Sequence, residues 1–215
     1  MPELPEVETV RRTLQQKLTG LKFTGVQVLM PKIVHTPEPG EFNEIIRDKK
    51  ILDVSRRGKY LLISLSGGYT LVVHLRMTGR LVYCSDNVPP TRHTHVVFHL
   101  DNGHRLIFAD MRQFGRLWLT PTSSLADLPG YKDLGIEPLG KQFTRDFLKK
   151  ELRRRRARIK PLLLDQTFIA GLGNIYTDEA LHRAGVDPER LATTLTPREI
   201  TRLHRAVKDV LQEGI

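Results

Sequence analysis

Hydrophobic positions change their spacing along the chain, and the changes mark out its elements. Val7, Val10, Leu14 and Leu18 recur at helical intervals. Pro5 suits a first turn, acids crowd the start, and Lys17 with Gly20 closes the end, which predicts an amphipathic helix over residues 4–18. From about residue 21 to 120 the pattern becomes that of strands. Ile51 to Ser55 and Tyr60 to Leu65 flank Arg56-Arg57-Gly58-Lys59, and Leu71 to Leu75 follows the turn Ser66-Gly67-Gly68. Val96, Phe98 and Leu100 alternate with polar neighbours, Asn102-Gly103 signals a hairpin, and Leu106 to Ala109 return. Strands joined by short turns predict an antiparallel sandwich or barrel. Pro, Gly and Ser gather over 121–143, and beyond them helical spacing holds at 144–157, 159–166, 175–184 and 197–212. The expected fold class is α+β, with a leading helix and antiparallel β-sandwich over 1–130, a hinge over 131–150 and an all-α domain over 151–215.

Charge sharpens this picture. The 215 residues include 34 Lys and Arg against 24 Asp and Glu, a net charge of +10 that points to a polyanionic partner, nucleic acid before membrane surface. Lys141 to Lys160 holds ten basic and two acidic residues, so +8 of that excess falls in twenty positions. A basic run is usually a solvated face. Four consecutive arginines, Arg153 to Arg156, would instead surround a helix with positive charge, which favours contact with nucleic acid. The single cysteine, Cys84, excludes an internal disulfide and a multi-cysteine zinc site within the chain. An acidic opening and short apolar runs lead us to expect a cytoplasmic protein with no targeting or membrane-spanning segment.

Two stretches carry candidate chemistry. Gly171-Leu172-Gly173-Asn174 interrupts the helical pattern, and its glycines permit a sharp turn or a close approach. Asn174 stands where a helix cap belongs, while the free amides of that helix start would also suit a phosphate; both readings stay open. At the other end, removal of Met1 leaves Pro2 with a free secondary amine, a group that titrates near 7.7–8.0 and is partly nucleophilic at neutral pH. Its attack on a sugar aldehyde carbon would give a cationic iminium. Glu3 adjoins it as a candidate general acid/base, and Glu6 follows one turn later. Acids at a helix start also have an ordinary dipole explanation.

Met1-Pro2-Glu3-Leu4-Pro5-Glu6-Val7-Glu8-Thr9 resembles the opening of bacterial formamidopyrimidine-DNA glycosylases, base-excision enzymes for oxidised purines such as formamidopyrimidines and 8-oxoguanine. Four further matches follow in order. They are Arg56-Arg57-Gly58-Lys59-Tyr60-Leu61, His74-Leu75-Arg76-Met77-Thr78-Gly79, Asp110-Met111-Arg112-Gln113-Phe114-Gly115 and Leu134-Gly135-Ile136-Glu137-Pro138-Leu139. A fifth, Ala170-Gly171-Leu172-Gly173-Asn174-Ile175-Tyr176, extends the resemblance over nearly the whole chain. The related endonuclease VIII opens differently after its proline and glutamate, so Leu4-Pro5 favours the purine branch.

The resemblance implies base removal with abasic-site lyase cleavage. Pro2 would be the Schiff-base nucleophile, Glu3 the proton donor that helps open the sugar and Lys59 the lysine of β-elimination; Glu6, one turn on from Glu3, joins them as a catalytic candidate by its position alone. Met77, Arg112 and Phe114 would fill the hole left by a flipped nucleotide, for which an apolar wedge, an aromatic and a guanidinium are suited. His74, His93, Arg112, Arg155 and Asn174 would contact DNA, the last from a helix–two-turns–helix element. The implied partner is damaged double-stranded DNA, bound by a monomer in the bacterial cytoplasm and associated with the nucleoid. His93, His95, His99 and His104 lack nearby Cys or acid ligands, so no metal site is expected there. The resemblance carries a zinc finger and a lesion-covering loop beyond the matched region, and this sequence holds neither. The expectation is therefore no cofactor in this chain, and abasic-site cleavage stronger than base excision. The competing classes are a catalytically impaired fragment that recognises abasic or kinked DNA and, on charge alone, an RNA- or ribosome-associated module.

Overall fold

A computed structural model describes residues 1–215, which divide into two compact units. The first holds Met1–Pro2 and Val7–Lys132, the second Glu3–Glu6 and Asp133–Ile215.

In the first unit, most of helix α1 (Leu4–Leu18) precedes nine strands and one further helix. β1 (Phe23–Val28), β7 (Thr94–Leu100), β8 (His104–Asp110) and β6 (Gly79–Ser85) form one sheet in that order. β2 (Val34–Thr36), β9 (Arg116–Pro121), β5 (Tyr69–His74), β4 (Tyr60–Leu65) and β3 (Ile51–Arg57) form the other. All neighbours run antiparallel except β2 and β9. One core receives Phe23, Val96, Phe98 and Phe108 from the first sheet and Val54, Ile63, Leu71, Val73 and Leu117 from the second, together with Val7, Leu14 and Leu18 of α1. The alternation read from sequence is thus the inward face of a sandwich.

The hairpin signals hold. Arg57 pairs with Tyr60 across Gly58-Lys59, Gly58 taking φ +55°, and Gly103 takes φ +75° between β7 and β8. Helix α2 (Pro39–Ile46) interrupts the strand region and is too short for a clear helical signature. It forms because Pro39 can start a helix and Phe42 and Ile46, four apart, both bury.

The second unit packs α3 (Arg145–Arg154), α4 (Ile159–Leu164), α5 (Asn174–Ala184) and α6 (Pro197–Glu213) around Phe143, Leu148, Leu152, Leu163, Phe168, Leu181, Leu203 and Val207, with Leu4 in the same core. The expected hinge over 131–150 is therefore too long: Phe143 and Leu148 are core residues, and α3 starts at Arg145 under a Thr144 cap. Helix α3 also ends at Arg154 rather than 157, so the arginine run straddles its end and does not encircle a helix. Cations in a last turn complement the helix dipole. No helix is long and apolar enough to cross a membrane.

Candidate active site

In the second unit, the Glu3 carboxylate occupies the start of α5. Oε2 accepts the amides of Gly173 at 2.7 Å and Tyr176 at 3.3 Å, and Oε1 accepts that of Ile175 at 2.9 Å. Glu3 is 2% exposed, so burial without these donors would be costly. Both glycines of the turn are explained by this approach. A Cβ on Gly173 would lie 2.3 Å from Glu3 Cδ, and one on Gly171, whose φ is +104°, 2.7 Å from Leu4 Cδ1. Gln166 staples the turn, accepting from Gly171 N at 2.9 Å and donating to Leu172 O at 2.8 Å.

This arrangement corrects two expectations. The residue at the cap position is Gly173, with no side-chain bond, and Asn174 is the first helical residue with an exposed side chain. The amides offered to a phosphate are instead taken by a carboxylate of the same unit. Asn174 keeps an outward side chain able to meet a ligand.

Glu6 completes the arrangement. Its Oε2 accepts Glu3 N at 2.8 Å, and its Oε1 accepts the Tyr176 hydroxyl at 2.8 Å. Burial, and then the adjoining Glu6 carboxylate, push the Tyr176 phenol well above its ordinary range. A donor that stays protonated suits a fixed carboxylate. Pro2 is one peptide bond from Glu3 and half-buried, and Met1, whose removal frees the Pro2 nitrogen, is exposed.

In the first unit, two neighbouring loops carry the other candidates. The loop after β5 bears Arg76, Met77 and Thr78, and the loop after β8 bears Met111 to Gly115. Asp110, 1% exposed, ties them together. It accepts from Thr78 Oγ1, from Arg112 N at 3.1 Å and from Gly115 N at 2.7 Å, while Arg112 N also reaches Thr78 Oγ1 at 3.0 Å. Burial works to raise the Asp110 carboxyl, but these bonds, with that of the Phe114 amide, outweigh it and hold it below its ordinary value. Above the clamp, Met77, Met111, Arg112 and Phe114 are exposed, and the Arg112 guanidinium lies 4.8 Å from the Phe114 ring centroid. Core packing is thereby excluded for Met77.

Lys59 is buried in the β3–β4 turn, not a solvated hairpin lysine. His74 is buried too; burial, followed by the positive charges of Arg76 and Lys59, lowers its imidazole to about 3, so it is neutral at physiological pH. Its Nδ1 accepts from Arg76 N at 3.1 Å, and its ring meets Tyr60 edge-on at 4.6 Å. Through its Nδ1, His74 supports the loop that begins at Arg76. His93 is half-exposed and bonds Arg92 Nε at 3.0 Å. In the second unit, Arg155 lies past the end of α3, 4.8 Å from the Phe168 ring, with Glu151 at 3.4 Å.

The four histidines do not converge. His95 is buried on Asp110 O at 2.6 Å, and His104 stacks on Tyr83 at 4.8 Å. No three His, Cys, Asp or Glu groups gather as metal ligands. Sequence reading missed Asp110, Thr78 and Tyr176 as site residues; their place inside the matched motifs was the available signal.

The chain has clear relatives. Residues 1–117 match the formamidopyrimidine-DNA glycosylase N-terminal domain, and residues 134–215 match the formamidopyrimidine-DNA glycosylase H2TH domain. It is 75% identical to the formamidopyrimidine-DNA glycosylase of Pelotomaculum thermopropionicum, over all of this chain and 78% of that protein. It is 56% identical to that of Desulforamulus reducens over the same shares. Among solved structures, the Lactococcus lactis enzyme bound non-covalently to DNA containing an abasic site is 36% identical with TM-score 0.93, covering 99% of this chain and 81% of that one. A complex of a Lactococcus lactis variant with DNA containing a formamidopyrimidine lesion reaches TM-score 0.94 at 36% identity, covering 100% and 78%. With both domains matched in order and identity this high over its full length, the chain belongs to the formamidopyrimidine-DNA glycosylase family.

Proposed function

We propose that this protein removes oxidised purines, formamidopyrimidines and 8-oxoguanine, from double-stranded DNA and cleaves the resulting abasic site through the Pro2 amine. The observation that carries the reading is the buried Glu3 carboxylate, held by three amides one peptide bond from Pro2. An anchored neighbour limits the freedom of an otherwise mobile chain end, which is what a terminal nucleophile requires. The named partners of the solved relatives support DNA as the ligand.

The chemistry follows from the residues. The neutral Pro2 nitrogen attacks C1′ of the damaged nucleotide, the C1′–N bond to the base breaks, and the base leaves with its electron pair and takes up a proton. Opening of the sugar ring transfers a proton to the ring oxygen and leaves an iminium at C1′. Glu3 is the proton source. Its Oε1 accepts one amide and Oε2 two, so Oε1 retains a lone pair that can carry the proton. Loss of a C2′ proton then expels the 3′ phosphate, and Lys59 supplies the positive charge for that departure. Water hydrolyses the iminium and restores Pro2. Met77, Arg112 and Phe114 replace the stacking and pairing lost when the nucleotide is extruded.

Borohydride reduction during the reaction tests this. A covalent protein–DNA adduct mapped by mass spectrometry to Pro2 is expected, and it disappears when the N-terminus is blocked by an added tag. An adduct on a lysine, or one surviving the block, rejects the assignment. Product gels on 8-oxoguanine and on preformed abasic DNA separate base release from strand cleavage. Cleavage without base release supports the reading of an impaired enzyme.

A further inference from the structure

The Met77 and Arg112–Phe114 loops are separate in sequence, yet an apolar wedge can replace a flipped nucleotide only if both present their side chains together. Three observations bear on how they do so. Asp110 is almost wholly buried and accepts from groups in both loops. Thr78 Oγ1 stands between them, donating to Asp110 Oδ1 and accepting Arg112 N at 3.0 Å. The backbone of Asp110 is pinned as well, its nitrogen donating to His93 O at 2.9 Å and its carbonyl meeting His95 Nε2 at 2.6 Å. Both loops also contain a non-glycine residue in the left-handed region, Arg76 at φ +56° and Gln113 at φ +58°. Such a conformation costs free energy and persists only where its surroundings hold it.

We infer that Asp110 and Thr78 are positioning residues that lock Met77 and the Arg112–Phe114 pair into one wedge for extrusion of the damaged nucleotide. Neither need touch DNA: Asp110 is buried beneath the loops, and the Thr78 hydroxyl is engaged on both its donor and acceptor sides. The inference rests on the proposed base-excision reading, since a wedge matters only where a nucleotide leaves the stack. A clamp built on hydrogen bonds to one carboxylate makes its effect separable from that of the exposed residues. Removing the Thr78 hydroxyl leaves every wedge side chain in place and loosens only their joint presentation.

The test uses the full 215-residue chain with Thr78→Val, Thr78→Ala and Thr78→Ser. Duplex DNA carries 2-aminopurine opposite a stable abasic analogue, so wedge insertion is read as a fluorescence change, and parallel reactions follow 8-oxoguanine release and cleavage of preformed abasic DNA. Val and Ala should lower the fluorescence amplitude and base release about tenfold, chiefly the effect of losing the hydrogen bond to the charged Asp110, since Arg112 N keeps its own bond to that carboxylate. Abasic-site cleavage should stay within about twofold, and Ser should restore both readouts. Unchanged amplitude, or equal losses on the two substrates with the fold intact by circular dichroism, overturns the positioning role. A wild-type chain that neither releases base nor perturbs the reporter overturns the base-excision reading, and the wedge with it. Unchanged behaviour of the Thr78 variants beside an active wild type overturns the clamp alone.

Discussion

Glu3 and Asp110 are both almost fully buried carboxylates that bind backbone amides, yet they are built in opposite ways. Asp110 gathers Arg112 and Gly115 from two and five residues on, and Thr78 from the loop that joins β5 to β6. Glu3 binds Gly173, Ile175 and Tyr176, at least 170 positions away. The loop from Asp110 to Gly115 closes around its own carboxylate at little entropic cost, and Thr78, 32 positions earlier, joins it once β6 pairs with β8. The Glu3 arrangement requires distant parts of the chain to meet, and the closure entropy is offset by amides already aligned in a helix start. One carboxylate shapes a loop that presents side chains; the other anchors the residue next to the proposed nucleophile.

Truncating each carboxylate in turn should separate the two most sharply. Glu3→Ala orphans the three amides at the start of α5, and Asp110→Ala orphans that of Gly115 and takes away the acceptor of the Thr78 hydroxyl; each should cost about 3 kcal/mol or more. Hydrogen exchange should localise the loss of protection to residues 171–177 in the first variant and to residues 76–79 and 111–115 in the second. Protection lost in the other variant's region instead would show that the two carboxylates are not independent organisers.

A smaller effect tests whether the ground beneath the Asp110 loops is electrostatically tuned. His74 is held neutral when folded, its pKa lowered from 6.5 to about 3 by burial and then by Arg76 and Lys59. The unfolded chain takes up a proton below pH 6.5 that the folded chain refuses, so stability falls as pH drops through that window. From about pH 7 to 5 this amounts to about 2 kcal/mol. His74→Gln should remove that increment from urea unfolding measured at the two pH values. Asp110 has a depressed carboxyl pKa, so its contribution is present above the ordinary carboxyl range and lost only at lower pH. An acid limb unaltered in His74→Gln would mean that another group carries it.

The mildest effect concerns the basic run. Arg153, Arg154 and Arg156 are exposed, whereas Arg155 is half-buried against Phe168 and Arg154 lies 3.6 Å from Glu151. Replacing Arg153 and Arg156 with Gln should flatten the slope of log affinity against log salt by about 2, since each phosphate neutralised by the protein adds about 0.9 to it. Arg155→Gln should also weaken the packing around Phe168. An unchanged slope in the double variant would make the run a solvated face.

Much of the fold was legible in sequence because its signals are local. Period-two alternation marked the strands, Asn102-Gly103 the hairpin, and helical spacing α1 and α6. Helix α2 escaped because eight residues show too few repeats, and the end of α3 because arginine suits a helix interior and a helix end equally well. The motifs marked candidate residues but not their environments. Lys59, between two strands in the sequence, is buried, and Asn174, for which a cap and a phosphate contact both stood open, is the first helical residue.

Sequence alone specified most of the elements, the basic segment and the residues whose chemistry permits an iminium, since propensity, charge and nucleophilicity belong to residues and their neighbours in the chain. Tertiary structure decided which groups those residues meet. Only the folded second unit shows that the α5 amides are filled by Glu3 and that Gly171 and Gly173 are small to admit Leu4 and Glu3. Only the folded first unit shows that a buried aspartate and a threonine hydroxyl join two loops. The physical reason is that desolvation and hydrogen-bond direction depend on the whole surroundings of a group, which no local window of sequence contains.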